Sequence, residues 1–524
     1  MQNPVHNAAV TTTPTATFRW AIFIVISLLA LAIRLPQLGE RPMHTDESVN
    51  AYITGQLLAG EKYQYDPQDR HGPVLYLLAE PIVKLCGAKN FAELTETQLR
   101  LTPLIIGSSL ILLFGAAVEM FGFIACLVAA LLFACAPLPV YYSRYFIHET
   151  LFVAATLGLI LSGWHMVKNN SAGFAALTGL CAALMLACKE TAVIHFFALA
   201  CAGFIGWLIK PRAAMPSTKL VVTALGTFVA ATILLFTWFG QNWSALTDMV
   251  HAVSRFAARA GGEGHEKPFS YYFHLLDPLV ILSFAAIAGV YAAICDAVGG
   301  TRKATLPLVI YAVAIGVIYS AIPYKTPWLA LNLWLPFTLL CGLGVASIVE
   351  LIKNRSGRWG AGIAFAFLLA TLGAQTKESS FDKPADEKNP YAYAHTGEDL
   401  LRLPARLEQL AKERNLTQPR IAVIATDAWP LPWYLRKFPN TGFWQPEQEV
   451  GAADFIITGS ETPTNLTEQL KDFRPEFFGA RPDVLLILWT PPAVTKKQPD
   501  QAAGQPSGAG ALASRTPSAV TARQ

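Results

Sequence analysis

The chain has 524 residues, of which 53% are hydrophobic and only 15% are charged. An ordinary soluble domain carries about 25% charge, so a soluble globular protein and a long disordered chain are both excluded. Lys+Arg 40 against Asp+Glu 36 leaves a net charge of +4, which gives no reason to expect a nucleic-acid partner.

The apolar residues fall in blocks of roughly 20, each long enough to cross ~30 Å of hydrocarbon as a helix. The first block, Trp20 to Ile33, runs past a signal-peptide core and lacks a small-residue cleavage site, so it reads as a transmembrane helix. Further spans are predicted at 101–118, 122–140, 150–167, 172–188, 191–209, 220–239, 275–294, 305–322, 328–350 and 359–374. The fold class is therefore a polytopic α-helical membrane protein with about eleven transmembrane helices. Residues 73–87 are largely apolar but interrupted by Glu80, Pro81 and Lys84, and read as an interfacial helix instead of a span.

Short loops set the orientation. Those at 168–171, 210–219, 296–304 and 353–358 carry Lys168, Lys210, Arg212, Lys219, Arg302, Lys303, Lys353, Arg355 and Arg358, with few acids. These loops and an N-terminal tail over 1–18 are expected in the cytoplasm. A transmembrane domain over 19–374 follows, with a long first external loop at 38–100. An odd number of spans then places residues 375–490 outside. They read as a small α/β domain: helix from Leu400, strand from Arg420, helix near Trp433, strand from Ala453, helix from Leu466 and strand from Val484. From 491 to 524 the chain is rich in Pro, Gly, Ser, Ala and Gln and reads as a disordered tail. All eight cysteines precede residue 375 and no CxxC pair exists, so neither a disulfide framework nor a structural zinc site is expected.

The unusual polar groups gather at the helix ends assigned to the outer side. They are His44-Thr45-Asp46-Glu47 and His71-Gly72-Pro73 in the first loop, Arg144 to Glu149 after the third span, Lys189-Glu190 after the fifth, and Tyr324-Lys325-Thr326-Pro327-Trp328 after the ninth. Ionisable groups at membrane depth are costly and usually mark a site or a paired interior. Their placement points to an outer-boundary cavity that handles an acidic group and a proton. Each piece also has a structural reading. Asp46-Glu47 fits the acidic first turn of a helix capped by Thr45. Arg144 and Glu149 fit an ion pair at a helix end, Lys189-Glu190 snorkelling anchors, and Lys325 an interfacial anchor beside Trp328. Residues 245–259 read as an amphipathic helix leading into Gly261-Gly262-Glu263-Gly264-His265, a hinge-like segment suited to a lid over the cavity. His44, Asp46, Glu47, His71, His148 and Glu149 include metal-ligating types, but no tight ligand spacing supports a metal site.

These residues resemble a family. Asp46-Glu47 just after the first span, in a long external loop, looks like the signature of integral-membrane glycosyltransferases with the GT-C fold. Relatives include the protein O-mannosyltransferases of family 39 and the aminoarabinose transferases that modify lipid A. The stretches "RPMHTDESVNAY", "HGPVLY", "YYSRYFIHET", "CKETA", "YKTPW", "NPYAYAHTGEDLLRL" and "WPLPWYLR" are similar to a subgroup of predicted membrane-bound mannosyltransferases, some named flippase activity-associated proteins. They run from about residue 34 to 436.

The resemblance implies a polyprenyl-phosphate-linked sugar donor and transfer to a glycan, lipid or protein acceptor at the extracytoplasmic face of the inner membrane. It makes Asp46 the expected base, with Glu47 or Glu149 orienting the acceptor or tuning that base. Arg144, Lys189 and Lys325 are the candidates for the donor phosphate, which needs cations that stay charged. His44, His71, His148, Tyr324 and Trp328 are the candidate substrate-binding residues, the aromatic ones fitting equally into an interfacial belt. No cofactor is required on this reading, although a divalent cation is compatible with it. Two other classes compete: a lipid-linked glycan flippase component, which should carry charges deep in its spans, and an inactive scaffold whose C-terminal domain binds a partner.

Overall fold

A computed structural model describes residues 15–67, 71–209, 215–262, 264–276, 279–299, 304–446, 448 and 451–492. Most of the expected N-terminal tail, the loop cations Lys210, Arg212, Arg302 and Lys303, residue Glu263 of the glycine-rich segment, and the tail from 493 onward lie outside the described residues.

In chain order the helices are α1 (Ala16–Arg34), α2 (Thr45–Leu58), α3 (Val74–Leu85), α4 (Glu96–Phe121), α5 (Phe123–Cys135), α6 (Pro137–Tyr142) and α7 (Glu149–Asn169). Next come α8 (Ala172–Leu186), α9 (Ala192–Ile209), α10 (Thr218–Phe236), α11 (Ala245–Arg259), α12 (Tyr271–Leu276), α13 (Ile281–Gly299), α14 (Thr305–Ala321), α15 (Ala330–Leu351) and α16 (Arg355–Lys377). The C-terminal part holds α17 (Arg402–Glu413), α18 (Leu431–Tyr434) and α19 (Thr467–Leu470), with strands β1 (Ile421–Ile424), β2 (Thr441–Trp444), β3 (Phe455–Gly459), β4 (Arg474–Arg481) and β5 (Val484–Thr490).

A helix meets each expected span. The block at 122–140 is split into α5 and α6, because Ala136 precedes Pro137 and is held extended at φ −74°, ψ 151°. Eight helical stretches among the described residues are long and apolar enough to cross a membrane; α5, α8 and α14 are apolar but shorter. The chain is an integral membrane protein. Residues 73–87 and 245–259, expected to be helical outside the spans, form α3 and α11.

The chain forms two compact units, the first comprising Met1–Leu38, His71–Leu78 and Arg100–Pro384. Its central element is α15, whose apolar window is 89% buried. Helix α15 packs on α13 and α5. A methyl group at Gly342 would overlap the Ala125 carbonyl of α5, and one at Gly344 the Ala285 carbonyl of α13. Gly289 of α13 meets the Leu340 carbonyl in the same way. Small residues let backbones approach this closely, which is where helix association in a bilayer gains its packing energy.

Two arginines close helix ends in this unit. The Arg34 guanidinium donates to the carbonyls of Phe133 (2.6 Å) and Ala134 (3.0 Å) at the end of α5, and to Ser143 Oγ (2.7 Å). Arg144 donates to the carbonyls of Arg34 (2.6 Å), Pro36 (2.6 Å) and Gln37 (3.1 Å) at the end of α1. C-terminal helix carbonyls lack intrahelical partners, and the two forks satisfy them.

The second unit comprises Gly39–Arg70, Ala79–Leu99 and Ala385–Gln524. Its five-stranded sheet has the order β2-β1-β3-β5-β4. Strand β1 lies parallel to β2 (Ile421 opposite Thr441) and to β3 (Ile421 opposite Phe455). Strand β5 runs antiparallel to β3 (Ile456 opposite Trp489) and to β4 (Arg474 opposite Thr490). One face buries Ala422, Ile424 and Ile456 under Leu466 and Leu470. Helix α17 buries Leu403, Leu407 and Leu410, an i, i+4, i+7 stripe, and ties to β4 through a bidentate Arg406–Glu476 pair (2.6 and 2.7 Å). Strands β2 and β4 escape the sequence reading. The first is four residues long with a glycine, and the second contains Pro475 and Gly479, both weak strand signals.

Candidate active site

The predicted site residues fall into a cluster in each unit. In the second unit, α2 begins with His44 as its N-cap, not Thr45 as expected. The Asp46 backbone N–H donates to His44 Nδ1 (3.0 Å), so that nitrogen carries no proton. The proton therefore sits on Nε2, which donates to the Tyr393 carbonyl (3.0 Å). The His44 backbone N–H donates in turn to Glu47 Oε2 (3.2 Å), completing a capping box. The other Glu47 oxygen pairs with Arg41 at 3.2 Å, and Glu47 is fully buried. Glu47 thus closes the helix start and pairs with a buried arginine.

From Arg41 to Ser48 every residue is buried except Asp46, which is partly exposed. Of the two acidic residues in this turn, Asp46 is the one that is not buried. Around it the C-terminal segment supplies groups that the sequence reading did not single out. The His395 ring stands 5.6 Å from that of His44, and Arg481 of β4 donates to Thr45 Oγ1 (3.0 Å) and Asp427 Oδ1 (2.9 Å). Burial lowers the pKa of both His44 and His395, with Arg41 and His44 pushing His395 further down, so both rings are held neutral. The available signal was the quoted stretch around Tyr393-Ala394-His395-Thr396, a polar cluster just ahead of α17.

In the first unit, His71, His148, Glu149, Lys189 and Glu190 come together. Gly72 lies against the end of α8, where a Cβ would overlap the Ala187 carbonyl, and the Val74 N–H donates to that same oxygen (3.1 Å). This docking sets His71 Nδ1 2.8 Å from Glu190 Oε2 and the His71 ring 5.2 Å from that of His148. His148 Nε2 reaches the Gly72 carbonyl (3.3 Å), and its pKa falls well below the usual value, first through burial and then through His71 and Lys189. Glu149 opens α7 and pairs with Lys189, and Glu190 pairs with His71. Of the three predicted phosphate cations, Lys189 keeps its side chain 12% exposed.

Arg144 is buried, engaged by three carbonyls and stacked 4.2 Å from the Phe381 ring. Lys325 is also buried, and its ammonium donates to the Lys267 (3.1 Å) and Ile322 carbonyls. Burial lowers its pKa. The Lys325 backbone N–H donates to the His265 carbonyl (3.0 Å), and Glu266 and Tyr324 form an antiparallel bridge. The segment after α11 is therefore strapped to residues 323–325. Tyr324 lies 4.8 Å from His265, and Trp328 is buried and stacked on Tyr145 (6.3 Å). A further buried group lies within the helices: His195 of α9 reaches Tyr311 Oη (2.7 Å) and Tyr319 Oη (3.0 Å) of α14. Among the described residues no group of three or more His, Cys, Asp and Glu side chains is arranged to hold a metal ion.

No family model matches the chain, and no curated protein matches it. Solved structures do. The chain is similar to ArnT from Cupriavidus metallidurans bound to undecaprenyl phosphate, at 16% identity and a TM-score of 0.56, over 90% of this chain and 98% of that one. The apo state of the same protein gives 14% identity and a TM-score of 0.58 over 91% and 98%. The Archaeoglobus fulgidus oligosaccharyltransferase in complex with Zn and sulfate gives 12% identity and a TM-score of 0.51 over 87% and 71%. The chain has the GT-C fold that these membrane proteins share.

Proposed function

We propose that this protein is a membrane glycosyltransferase that moves a sugar from a polyprenyl-phosphate donor to an acceptor hydroxyl, with Asp46 as general base. The observation that carries the reading is the exposure of Asp46 alone in an otherwise buried turn, at the start of the first helix after α1, in a chain of the GT-C fold. The Asp46 carboxylate takes the proton of the acceptor hydroxyl as that oxygen attacks the anomeric carbon. The bond from that carbon to the phosphate oxygen breaks, and the lipid phosphate leaves with the electron pair. One displacement at one base inverts the anomeric centre. Lys189 takes the phosphate role, since its side chain, paired with Glu149, keeps 12% exposure, while the buried cations of Arg144 and Lys325 hold backbone carbonyls. The membrane is the inner membrane and the reaction face extracytoplasmic, in keeping with the basic loops on the other side. The flippase reading is less favoured, because the charged groups of both clusters lie at helix ends or between helices.

Asp46→Asn should leave the amount of folded protein unchanged in membranes. It should lower sugar transfer from a polyprenyl-phosphate donor by about 10²–10⁴-fold, the usual worth of a positioned base. Transfer at the wild-type rate would remove Asp46 from the chemistry. Sidedness is tested separately, with Lys168→Cys and Glu461→Cys placed singly in a cysteine-free chain. An impermeant thiol reagent should label position 461 from outside and position 168 only after the membrane is opened; the reverse pattern would overturn the orientation.

A further inference from the structure

We propose that Arg481 is a positioning residue, which holds the first turn of α2 through Thr45 and so aims the Asp46 carboxylate. The inference rests on the reading of Asp46 as the base. Three consecutive residues ahead of Asp46 are each bonded to the C-terminal part of the same compact unit. The Met43 N–H donates to Tyr434 Oη (2.8 Å), and the Met43 carbonyl accepts from Thr396 Oγ1 (2.6 Å). His44 Nε2 donates to the Tyr393 carbonyl (3.0 Å), and Thr45 Oγ1 accepts from Arg481 (3.0 Å).

The last of these bonds is the informative one. A threonine at a helix start ordinarily gives its hydroxyl to the cap, but His44 caps α2 and leaves the Thr45 hydroxyl for another partner. Arg481 is buried and already paired, through Asp427 Oδ1 (2.9 Å) and the Trp429 carbonyl (3.3 Å), both in the C-terminal segment. Those two partners balance the guanidinium within its own surroundings. The bond to Thr45 adds nothing to that balance; it fixes the residue next to Asp46 from the end of β4. Groups that act in a displacement must be held to fractions of an ångström, and a misplacement of about 1 Å costs up to 10²-fold in rate. On this view the C-terminal sheet is a structural arm of the reaction centre.

The test uses the full-length protein in detergent with a polyprenyl-phosphate sugar donor. Its variants are Thr45→Val, Arg481→Met, the double variant and Asp46→Asn. Thr45→Val is close to isosteric and leaves Arg481 its other two partners, so it should fold even if Arg481→Met melts early. Each single change should lower kcat about tenfold with the donor KM within about twofold. The double variant should be no slower than the slower single, because both remove one bond. Wild-type kcat in Thr45→Val, an effect confined to KM, or a multiplicative loss of about 100-fold in the double variant would overturn the inference. Asp46→Asn separates the two claims. If it transfers sugar at the full rate, the base reading falls whatever Arg481 does. If it is inactive while Thr45→Val is unimpaired, only the positioning role falls.

Discussion

Replacing His44 should loosen Asp46 by an amount that can be worked from two hydrogen bonds. His44→Ala removes the acceptor for the Asp46 N–H and the donor to the Tyr393 carbonyl. Losing an N-cap costs ~1 kcal/mol, and losing an ordinary internal hydrogen bond about 1 kcal/mol more. If both fall on the ordering of this turn, about 2 kcal/mol corresponds to a loss in kcat of roughly 30-fold. His44→Asn separates the two bonds: Asn is among the best N-caps but is too short to span to Tyr393, so it should lose only about fivefold. The assay is kcat for sugar transfer at saturating donor, with melting temperature measured in parallel. The same bonds give a pH dependence. Burial lowers the folded-state pKa of His44 below that of the unfolded chain, so its contribution is full above about pH 6.5. It is lost as the pH falls through the lower folded value, when a proton on Nδ1 removes the cap acceptor. His44→Asn should therefore have a flatter acid limb than the wild type. Full activity in His44→Ala, or an Asn variant no better than the Ala variant, would refute the reasoning.

Lys189→Gln should lower kcat/KM for the donor by about 100-fold, since it removes a charge from the leaving phosphate. Lys325→Met should instead lower the melting temperature with the donor KM unchanged, because that ammonium ties two carbonyls. A larger rise in donor KM for the Lys325 variant than for the Lys189 variant would reverse the two roles. Gly344→Leu should abolish recovery of monodisperse protein, because the added side chain must displace the Ala285 backbone. Gly316→Ala on α14 meets nothing within 4 Å and should be tolerated. Size-exclusion profiles of the two would settle the contrast, and equal recovery would count against close helix packing as the source of the difference.

The membrane part was legible because its signal is additive. Eighteen or more apolar residues in a row mean a span whatever surrounds them, and a helix meets each predicted one. Helix α11 and the helix after Asp46 were legible for a related reason, since amphipathic spacing and acidic first-turn residues are local. The sheet was half legible. Strands β1, β3 and β5 are runs of apolar residues, whereas β2 and β4 gain their place from neighbours brought in by the fold.

The site was legible as a set of residues but not as a set of partners, and the reason is physical. A charged side chain near an apolar helix is conspicuous in sequence whether it binds a ligand or satisfies the protein. Arg144 looked like a phosphate fork because its five donors match a phosphate, but three carbonyls at the end of α1 match them as well. Lys325 meets the same chemistry at Ile322 and Lys267. Backbone carbonyls left over at helix ends are invisible in sequence, since every residue has one, and only the fold shows which are unpaired. The converse holds for Asp46. Around it Arg41 pairs with Glu47, His44 bonds the Asp46 N–H and the Tyr393 carbonyl, and Arg481 bonds Thr45, and in that buried turn Asp46 is the residue that stays partly exposed. The discriminating property at a membrane-boundary site is thus not the presence of charge but which partners the fold gives each charge and how far it stays exposed. On that ground we propose Asp46, which is partly exposed, and Lys189, paired with Glu149 but 12% exposed, for the chemistry ahead of the buried Arg144, Lys325 and Glu47.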